Sequence, residues 1–272
     1  MISDREKIEA RVRELGEIQP WNHDHILPYG IRTRPGQQES HGKNHVKLAR
    51  LQALFDIIGL NGKAILDVGC NEGFFSLHMA EAGANVLGID IDDKRIEKAR
   101  FVLSMHESLD NIRFELLDIY SDKFKELPRF DLCLCLGFIH RVPDPYRAIS
   151  ALADRSEMII FEWKALKFGP HDEAFAYFSP KGIPQTDLYG TEYWLLSYMA
   201  VERIMRRFNF CYFYPIDDPS QNRAILVAGR NYHPLFDKRP VILRRGRLKS
   251  LLSHTRRYLY TISGIISGRI NA

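Results

Sequence analysis

The chain has 272 residues, of which 45% are hydrophobic and 26% are charged, a composition typical of globular proteins. No apolar run approaches the roughly 20 residues of a membrane-spanning helix, and the charged first residues predict no signal peptide. The four cysteines form no C-x-x-C pair, so we expect reduced thiols in a cytoplasmic protein, without disulfides or structural zinc.

Two helical patterns come first and flank an irregular segment rich in proline and aromatic residues. Residues 3–18 and 44–58 place apolar side chains at helical spacing. Between them, we expect Trp21 and His23 to contact a substrate. The histidines of this region are His23, His25, His41 and His45. Imidazoles alone at such loose spacing are weak evidence for a metal, so we predict no metal site.

The central motif is the stretch AILDVGCNEG, which begins at residue 64. An apolar strand stops at Asp67, and a turn with Gly69 and Gly73 leads into a helical pattern. Asn71 lies inside this turn, and asparagine enters left-handed backbone more readily than other non-glycine residues. A second strand ends at Asp90, 21 residues after Gly69, which is close to the spacing of a ribose-binding carboxylate in dinucleotide-binding folds.

The rest of the chain alternates strand and helix. Predicted helices cover residues 94–105, 146–153 and 191–208, the last capped by Thr191, and predicted strands cover 112–118, 131–140, 158–162, 211–216 and 224–228. Residues 131–140 are apolar on both faces, as a central parallel strand requires. Five strand–helix units are followed by two strands in a hairpin-like arrangement. This order predicts a doubly wound α/β sheet that binds ligands at the carboxyl ends of its strands.

The glycine turn, with Asp67 before it and Asp90 after it, resembles motif I and the acidic loop of class I S-adenosylmethionine (SAM) methyltransferases. Its spacing is G-x-x-x-G, not the dinucleotide G-x-G-x-x-G. The resemblance implies SAM as cofactor and a Rossmann-like, seven-stranded class I methyltransferase sheet. We expect an N-terminal helical and loop extension over 1–60, the SAM-binding domain over 61–230 and a basic tail over 231–272.

A narrower resemblance links roughly residues 20–215 to the family of the tRNA wobble-uridine 5-carboxymethoxy methyltransferase. The residues that carry it are Pro20-Trp21, Leu27–Gly30, Leu136–Arg141 and Asp144-Pro145. That family has a tyrosine where this chain has Ile139, and it uses a carboxylated SAM. Loss of the phenol favours ordinary methyl transfer here.

The class resemblance implies cofactor contacts at the ends of the first four strands. Glycines let the backbone approach the cofactor, Asp67 orients the methionine ammonium, and Asp90 accepts from the ribose hydroxyls. Asp118 is expected to accept from the adenine amino group. The full predicted set is Asp67, Gly69, Asn71, Gly73, Asp90, Ile91, Asp118, Ile119, Leu136 and Gly137.

The candidate catalytic residues are His140 and Glu162, which end neighbouring strands. A hydroxyl acceptor is helped by a general base, and histidine titrates in the suitable range. A structural hydrogen-bonding role for His140 is the alternative. Arg141 is expected to steady an anionic acceptor, beside the predicted substrate contacts Trp21 and His23.

We expect methyl transfer to an oxygen of a small molecule or glycan, a lipid-linked saccharide included. A tRNA-modifying enzyme and a non-catalytic SAM-fold binding module are the alternatives. The net charge of +4 arises at the end of the chain, because nine basic residues and no acid follow from Lys238 onward. This amphipathic tail predicts association with the anionic inner membrane surface. Docking of the tail on the parent domain and binding to nucleic-acid phosphates are the alternatives.

Overall fold

The computed structural model describes residues 3–34, 38–106, 108–165, 174, 176–178, 194–218 and 223–238. Helix α1 (Asp4–Ile18) begins with a capping box, in which the Ser3 hydroxyl accepts from the Glu6 N–H and the Glu6 carboxylate accepts from the Ser3 N–H. Helix α2 (Gln38–Ile58) follows the irregular segment. Both helices predicted for this region are confirmed, and α2 begins earlier than predicted.

The strands follow in chain order. They are β1 (Ala64–Val68), β2 (Asn85–Asp90), β3 (Ile112–Leu116), β4 (Phe130–Leu136), β5 (Ser156–Lys164), β6 (Ala176–Phe178), β7 (Trp194–Leu196), β8 (Tyr212–Asp218) and β9 (Arg223–Gly229). Within the described ranges, seven of them form one sheet in the order β3-β2-β1-β4-β5-β9-β8, and β6 pairs with β7 separately. Strands β1 to β5 run parallel, whereas β9 is antiparallel to both of its neighbours.

Five more helices connect or flank the strands. They are α3 (Phe74–Glu81), α4 (Asp93–Leu103), α5 (Asp122–Lys125), α6 (Pro145–Arg155) and α7 (Tyr198–Arg206). Short side chains start four of them by accepting a backbone N–H at the first turn, which satisfies one of the unpaired donors there. These caps are Asp92, Ser121, Asp144 and Ser197.

Two apolar cores cover the two faces of the sheet. The first joins helices α1 to α4 to one face through side chains such as Leu15, Leu51 and Met79. The second joins α5 to α7 to the other face through Phe124, Ile149 and others. Helices on both faces of a mostly parallel sheet define the doubly wound α/β class that the sequence predicts.

The predicted helix over residues 191–208 is wrong in its first part. Trp194–Leu196 is extended and pairs antiparallel with Ala176–Phe178, and the helix begins only at Tyr198. The Ser197 side chain accepts from the Ala200 N–H and so fixes the start. Aromatic residues also favour strands, so their spacing did not separate the two states. Thr191, the predicted cap, lies outside the described residues.

Two strands end earlier than predicted, and this matters for the site. Strand β3 ends at Leu116 and β4 at Leu136, so Asp118 and His140 lie in the turns that follow. In the described part of the chain, no helix has the length and apolar character needed to cross a membrane. The tail beyond Lys238 lies outside the described residues.

Candidate active site

The turn after β1 has three residues in left-handed backbone: Gly69 at φ 68°, Asn71 at 55° and Gly73 at 78°. The N–H groups of Gly69 and Cys70 both donate to the Ile89 carbonyl, which fixes the turn against the end of β2. The expectation that asparagine serves here as a left-handed residue is confirmed.

The packing of phenylalanine rings is a second reason why glycine is required at several positions in this region. A Cβ at Gly69 would lie 2.9 Å from Phe138 Cδ2, and one at Gly73 would collide with the Phe114 ring. The same ring would lie 2.6 Å from a Cβ at Gly88. Phe114 therefore packs against both the turn and β2 because neither has a side chain there. This packing was missed at the level of sequence.

Asp67 lies inside β1, close to its end, and is 3% exposed. The Ser76 hydroxyl donates to its Oδ2 at 2.5 Å. Burial raises the pKa of Asp67 to about 7, although the Ser76 hydrogen bond acts in the opposite direction. A carboxyl group with such a pKa gains most from a cationic partner, which fits its predicted role beside the methionine ammonium.

Asp90 is held by the backbone on both sides. Its Oδ2 accepts from the Asn71 N–H at 3.0 Å, and its Oδ1 accepts from the Asp92 N–H at 3.1 Å. Burial raises the pKa of this carboxyl, with the Arg95 charge opposing. Each carboxylate oxygen can accept more than one hydrogen bond, so the oriented group can still take two hydroxyls. Ile91 is half-buried beside it.

The remaining predicted cofactor residues lie at the ends of β3 and β4. Asp118 Oδ1 accepts from the Tyr120 N–H at 2.9 Å, whereas Ile119 is 3% exposed and belongs to the second core. Leu136 and Gly137 are half-buried, and the Gly137 N–H donates to the Glu162 carbonyl at 2.7 Å. The structure thus brings the ends of β1 to β4 together as predicted.

Glu162 forms the centre of a charged cluster at the end of β5. It is 2% exposed, and its Oε2 lies 3.2 Å from Lys47 Nζ and 3.1 Å from an Arg223 guanidinium nitrogen. A Cβ at Gly137 would be 3.7 Å from the same Oε2, so the cluster adjoins the end of β4. Lys47 comes from α2 and Arg223 from the start of β9. Sequence reasoning missed both because only the fold brings them together.

His140 is 1% exposed, and its Nδ1 accepts from the Lys164 N–H at 3.4 Å. Burial lowers the pKa of His140 well below its usual range, and the charges of Arg223, Arg141 and Lys47 add to this effect. A neutral ring that accepts at Nδ1 carries its proton on Nε2 and is a donor there. This geometry favours the structural alternative over a general-base role.

The predicted substrate contacts lie in different environments. Trp21 is 5% exposed and its indole N–H donates to the Val12 carbonyl at 3.0 Å, while Lys98 Nζ lies 5.0 Å from the ring. It is therefore a packing residue with almost no surface left for an acceptor, which corrects that prediction. His23 is buried as well, whereas Arg141 is exposed at the mouth of the turn after β4.

The strand order and the left-handed turn after β1 define a class, the Rossmann-like methyltransferase fold. The chain belongs to the methyltransferase domain family, whose model matches residues 60–212. It is 33% identical over 165 residues to the ubiquinone biosynthesis O-methyltransferase of Idiomarina loihiensis, covering 61% of this chain and 58% of that protein. The Nitrosospira multiformis protein of the same name is 35% identical over 95 residues, covering 35% of this chain and 39% of that protein.

This chain therefore spans less than two thirds of each relative's length. Solved structures agree on the fold. The N-terminal domain of EvdMO1, solved in the presence of SAH and D-fucose, superposes with a TM-score of 0.67 at 22% identity over 85% of this chain and 98% of that one. Magnesium protoporphyrin IX methyltransferase from Synechocystis PCC 6803, with bound SAM, gives 0.55 at 19% identity over 82% and 97% of the two chains. These relatives give no support to the narrower resemblance to the tRNA family.

Proposed function

We propose that this protein transfers a methyl group from SAM to an oxygen of a small molecule or glycan. The single observation that carries the proposal is that the turn holding Asp90 and the cluster of Lys47, Glu162 and Arg223 lie at the same edge of the sheet, with only β4 between β1 and β5. Relatives named as O-methyltransferases support oxygen as the accepting atom.

The turn fits SAM as the cofactor. Asp90 is oriented by two backbone donors and suits a vicinal diol, and buried Asp67 offers a carboxylate to an ammonium group. When bound, SAM supplies an electrophilic methyl group. The left-handed turn also points the Asn71 N–H at Asp90 and so holds that carboxylate in place.

The cluster around Glu162 fits an anionic acceptor. Two cations share one carboxylate oxygen, and Arg141 and Lys164 add positive charge around His140. An acceptor bearing a carboxylate or phosphate close to its hydroxyl would balance this excess. We assign Glu162 to hydrogen-bond the acceptor hydroxyl and hold it toward the methyl group.

Lys47, in the neutral form that has first lost its own proton to solvent, is our assignment for the proton acceptor. Burial lowers the pKa of Lys47, against the opposing charge of Glu162, so its neutral amine is easier to reach than that of an exposed lysine. The acceptor oxygen gives up its proton as it is methylated, and an amine tuned toward neutrality takes a proton efficiently. The Lys47 side chain is half-buried, which limits its contact with bulk water.

The test is methyl transfer from radiolabelled SAM to matched acceptors, each hydroxyl compound offered with and without a neighbouring anionic group. We expect transfer to the anionic members, loss of turnover in Glu162→Gln with SAM affinity kept, and loss of SAM binding in Asp90→Ala. Transfer to tRNA with no transfer to small molecules would favour the nucleic-acid alternative. SAM binding without transfer to any acceptor would favour the binding module.

A further inference from the structure

Two histidines and a glutamate meet where the irregular N-terminal segment touches the turn after β1. One ligand atom from each of His23, His25 and Glu72 lies within 4.8 Å of the others. The three residues are 9%, 7% and 0% exposed, so the group is nearly sealed from solvent. None of them takes part in the charged cluster around Glu162 in the geometry described above.

Both histidines have a buried imidazole nitrogen that makes no hydrogen bond to a described residue. Within the described part of the chain, His23 Nδ1 and His25 Nε2 are buried with no hydrogen-bond partner. A buried polar atom without a partner costs about 1–3 kcal/mol, and native structures pair nearly all of them. Two such atoms in one buried group with Glu72 are what a shared ligand would satisfy.

Glu72 presents its two oxygens to different neighbours. Its Oε1 accepts from the Asn22 N–H at 2.8 Å and lies 3.9 Å from Lys98 Nζ. Its Oε2 accepts from the His23 N–H at 2.6 Å and lies 3.6 Å from His23 Nδ1. The lysine therefore lies nearest Oε1, while Oε2 faces the His23 imidazole.

We propose that His23, His25 and Glu72 bind a divalent transition-metal ion of the zinc type. Two imidazoles and one carboxylate form a common zinc ligand set that leaves one position for water or another ligand. Bonds of about 2.0–2.1 Å place tetrahedral ligand atoms roughly 3.4 Å apart. The 3.6 Å between His23 Nδ1 and Glu72 Oε2 is close to this spacing, and the ligand atoms of all three residues lie within 4.8 Å of one another.

A metal at this point fastens two parts of the chain together. His23 and His25 belong to the irregular segment, whereas Glu72 lies in the left-handed turn between Asn71 and Gly73. Backbone hydrogen bonds from Asn22 and His23 to Glu72 already hold this junction. The ion would add a crosslink that orders the segment against the predicted cofactor turn, and binding energy of this kind becomes stability.

The test uses the full-length protein, freed of metal by a chelator and then titrated with Zn²⁺ against a chromophoric competitor. We expect one equivalent to bind at micromolar strength or better, and Co²⁺ to give the intense visible absorption of a tetrahedral site. His25→Gln and His23→Gln should each weaken binding at least about 100-fold, because even the outer contacts of metal sites contribute 10–100-fold. His78→Gln is the matched control, because this histidine lies on α3 outside the proposed ligand set, with 42% of its side chain exposed, and pairs with Glu81.

Wild-type protein that gives no tetrahedral cobalt spectrum and binds no zinc would overturn the proposal, whatever the variants do. Full binding by both variants would also overturn it, because the ion would then lie elsewhere. Circular dichroism of the metal-free variants is the check that they fold. Metal binding is measured without SAM or acceptor, so its failure leaves the proposed methyl transfer untouched.

Discussion

At the scale of single residues, the carboxyl groups of the turn show how burial prepares a site for a positively charged ligand. Asp67 and Asp90 are both buried, and burial is the main cause that raises the pKa of each. The protein keeps an unfavourable carboxylate at Asp67, which a cationic ligand would relieve. This cost can be measured without any cofactor.

The pH dependence of stability has a defined sign at Asp67. Because the pKa of Asp67 is about 7 in the folded protein and its ordinary value is 3.8, the unfolded chain ionises first as pH rises. Below pH 3.8, Asp67 is protonated in the folded and the unfolded state and does not affect stability. As the pH rises from there to about 7, the free energy of unfolding falls progressively. Between pH 5 and pH 8, chemical denaturation should show Asp67→Asn gaining roughly 2–3 kcal/mol relative to wild type.

Ser76→Ala provides the internal check on this result. The Ser76 hydrogen bond lowers the pKa of Asp67, so its removal should extend the loss of stability to higher pH. A difference between Asp67→Asn and wild type that stays constant across the pH range would show that Asp67 does not titrate there.

Lys47 allows a charge-conserving test of the proton acceptor. Lys47→Arg keeps the cation beside Glu162 but cannot become neutral, so turnover should fall on the order of 100-fold while SAM affinity is unchanged. Lys94→Arg, an exposed change on α4, is the control and should keep full activity. Full turnover by Lys47→Arg would show that a residue other than Lys47 is the base.

At the scale of elements, the sequence predicts what depends on local pattern. The apolar runs of β1 and β4 and the amphipathic pattern of α1 identify these elements because burial dictates their periodicity. The start of α7 was placed too early, because the pairing of Trp194–Leu196 with a distant segment is a tertiary effect. Tertiary contacts outweigh propensity in such short stretches.

The start of α7 can be tested through its cap. Ser197→Ala should destabilise the protein by about 1 kcal/mol, because the Ala200 N–H loses its acceptor. Ser104→Ala, at the far end of α4, removes an exposed hydroxyl and should change stability by less than about 0.5 kcal/mol. If Thr191→Ala is the more costly change in thermal unfolding, the helix begins upstream after all.

At the scale of the whole molecule, the site draws on residues far apart in the chain. Lys47 and Glu162 are 115 positions apart, and Arg223 lies 61 beyond Glu162. The sequence indicates the turn and its acids because one local motif contains them. It gives no local signal for the cations, since a lysine inside an amphipathic helix and an arginine at a strand start are ordinary.

The role of the basic tail is a separate proposal. We propose that the residues after Asp237 hold the protein on anionic membrane surfaces, where each basic residue adds about 1 kcal/mol. Truncation after Asp237 should leave SAM binding intact and abolish sedimentation with vesicles containing phosphatidylserine. Full-length protein that ignores these vesicles but shifts tRNA with a steep salt dependence would contradict this proposal.

Strand β9 has a consequence for how the protein is made. Seven of the nine residues of β5 are buried, and β9 covers the edge of that strand that β4 does not. A chain emerging from the ribosome completes β5 long before residues 223–229 exist, so an apolar edge stays open meanwhile. We therefore expect a chain that terminates before Arg223 to aggregate, and a delay in translation between β5 and β9 to prolong the exposure of this edge.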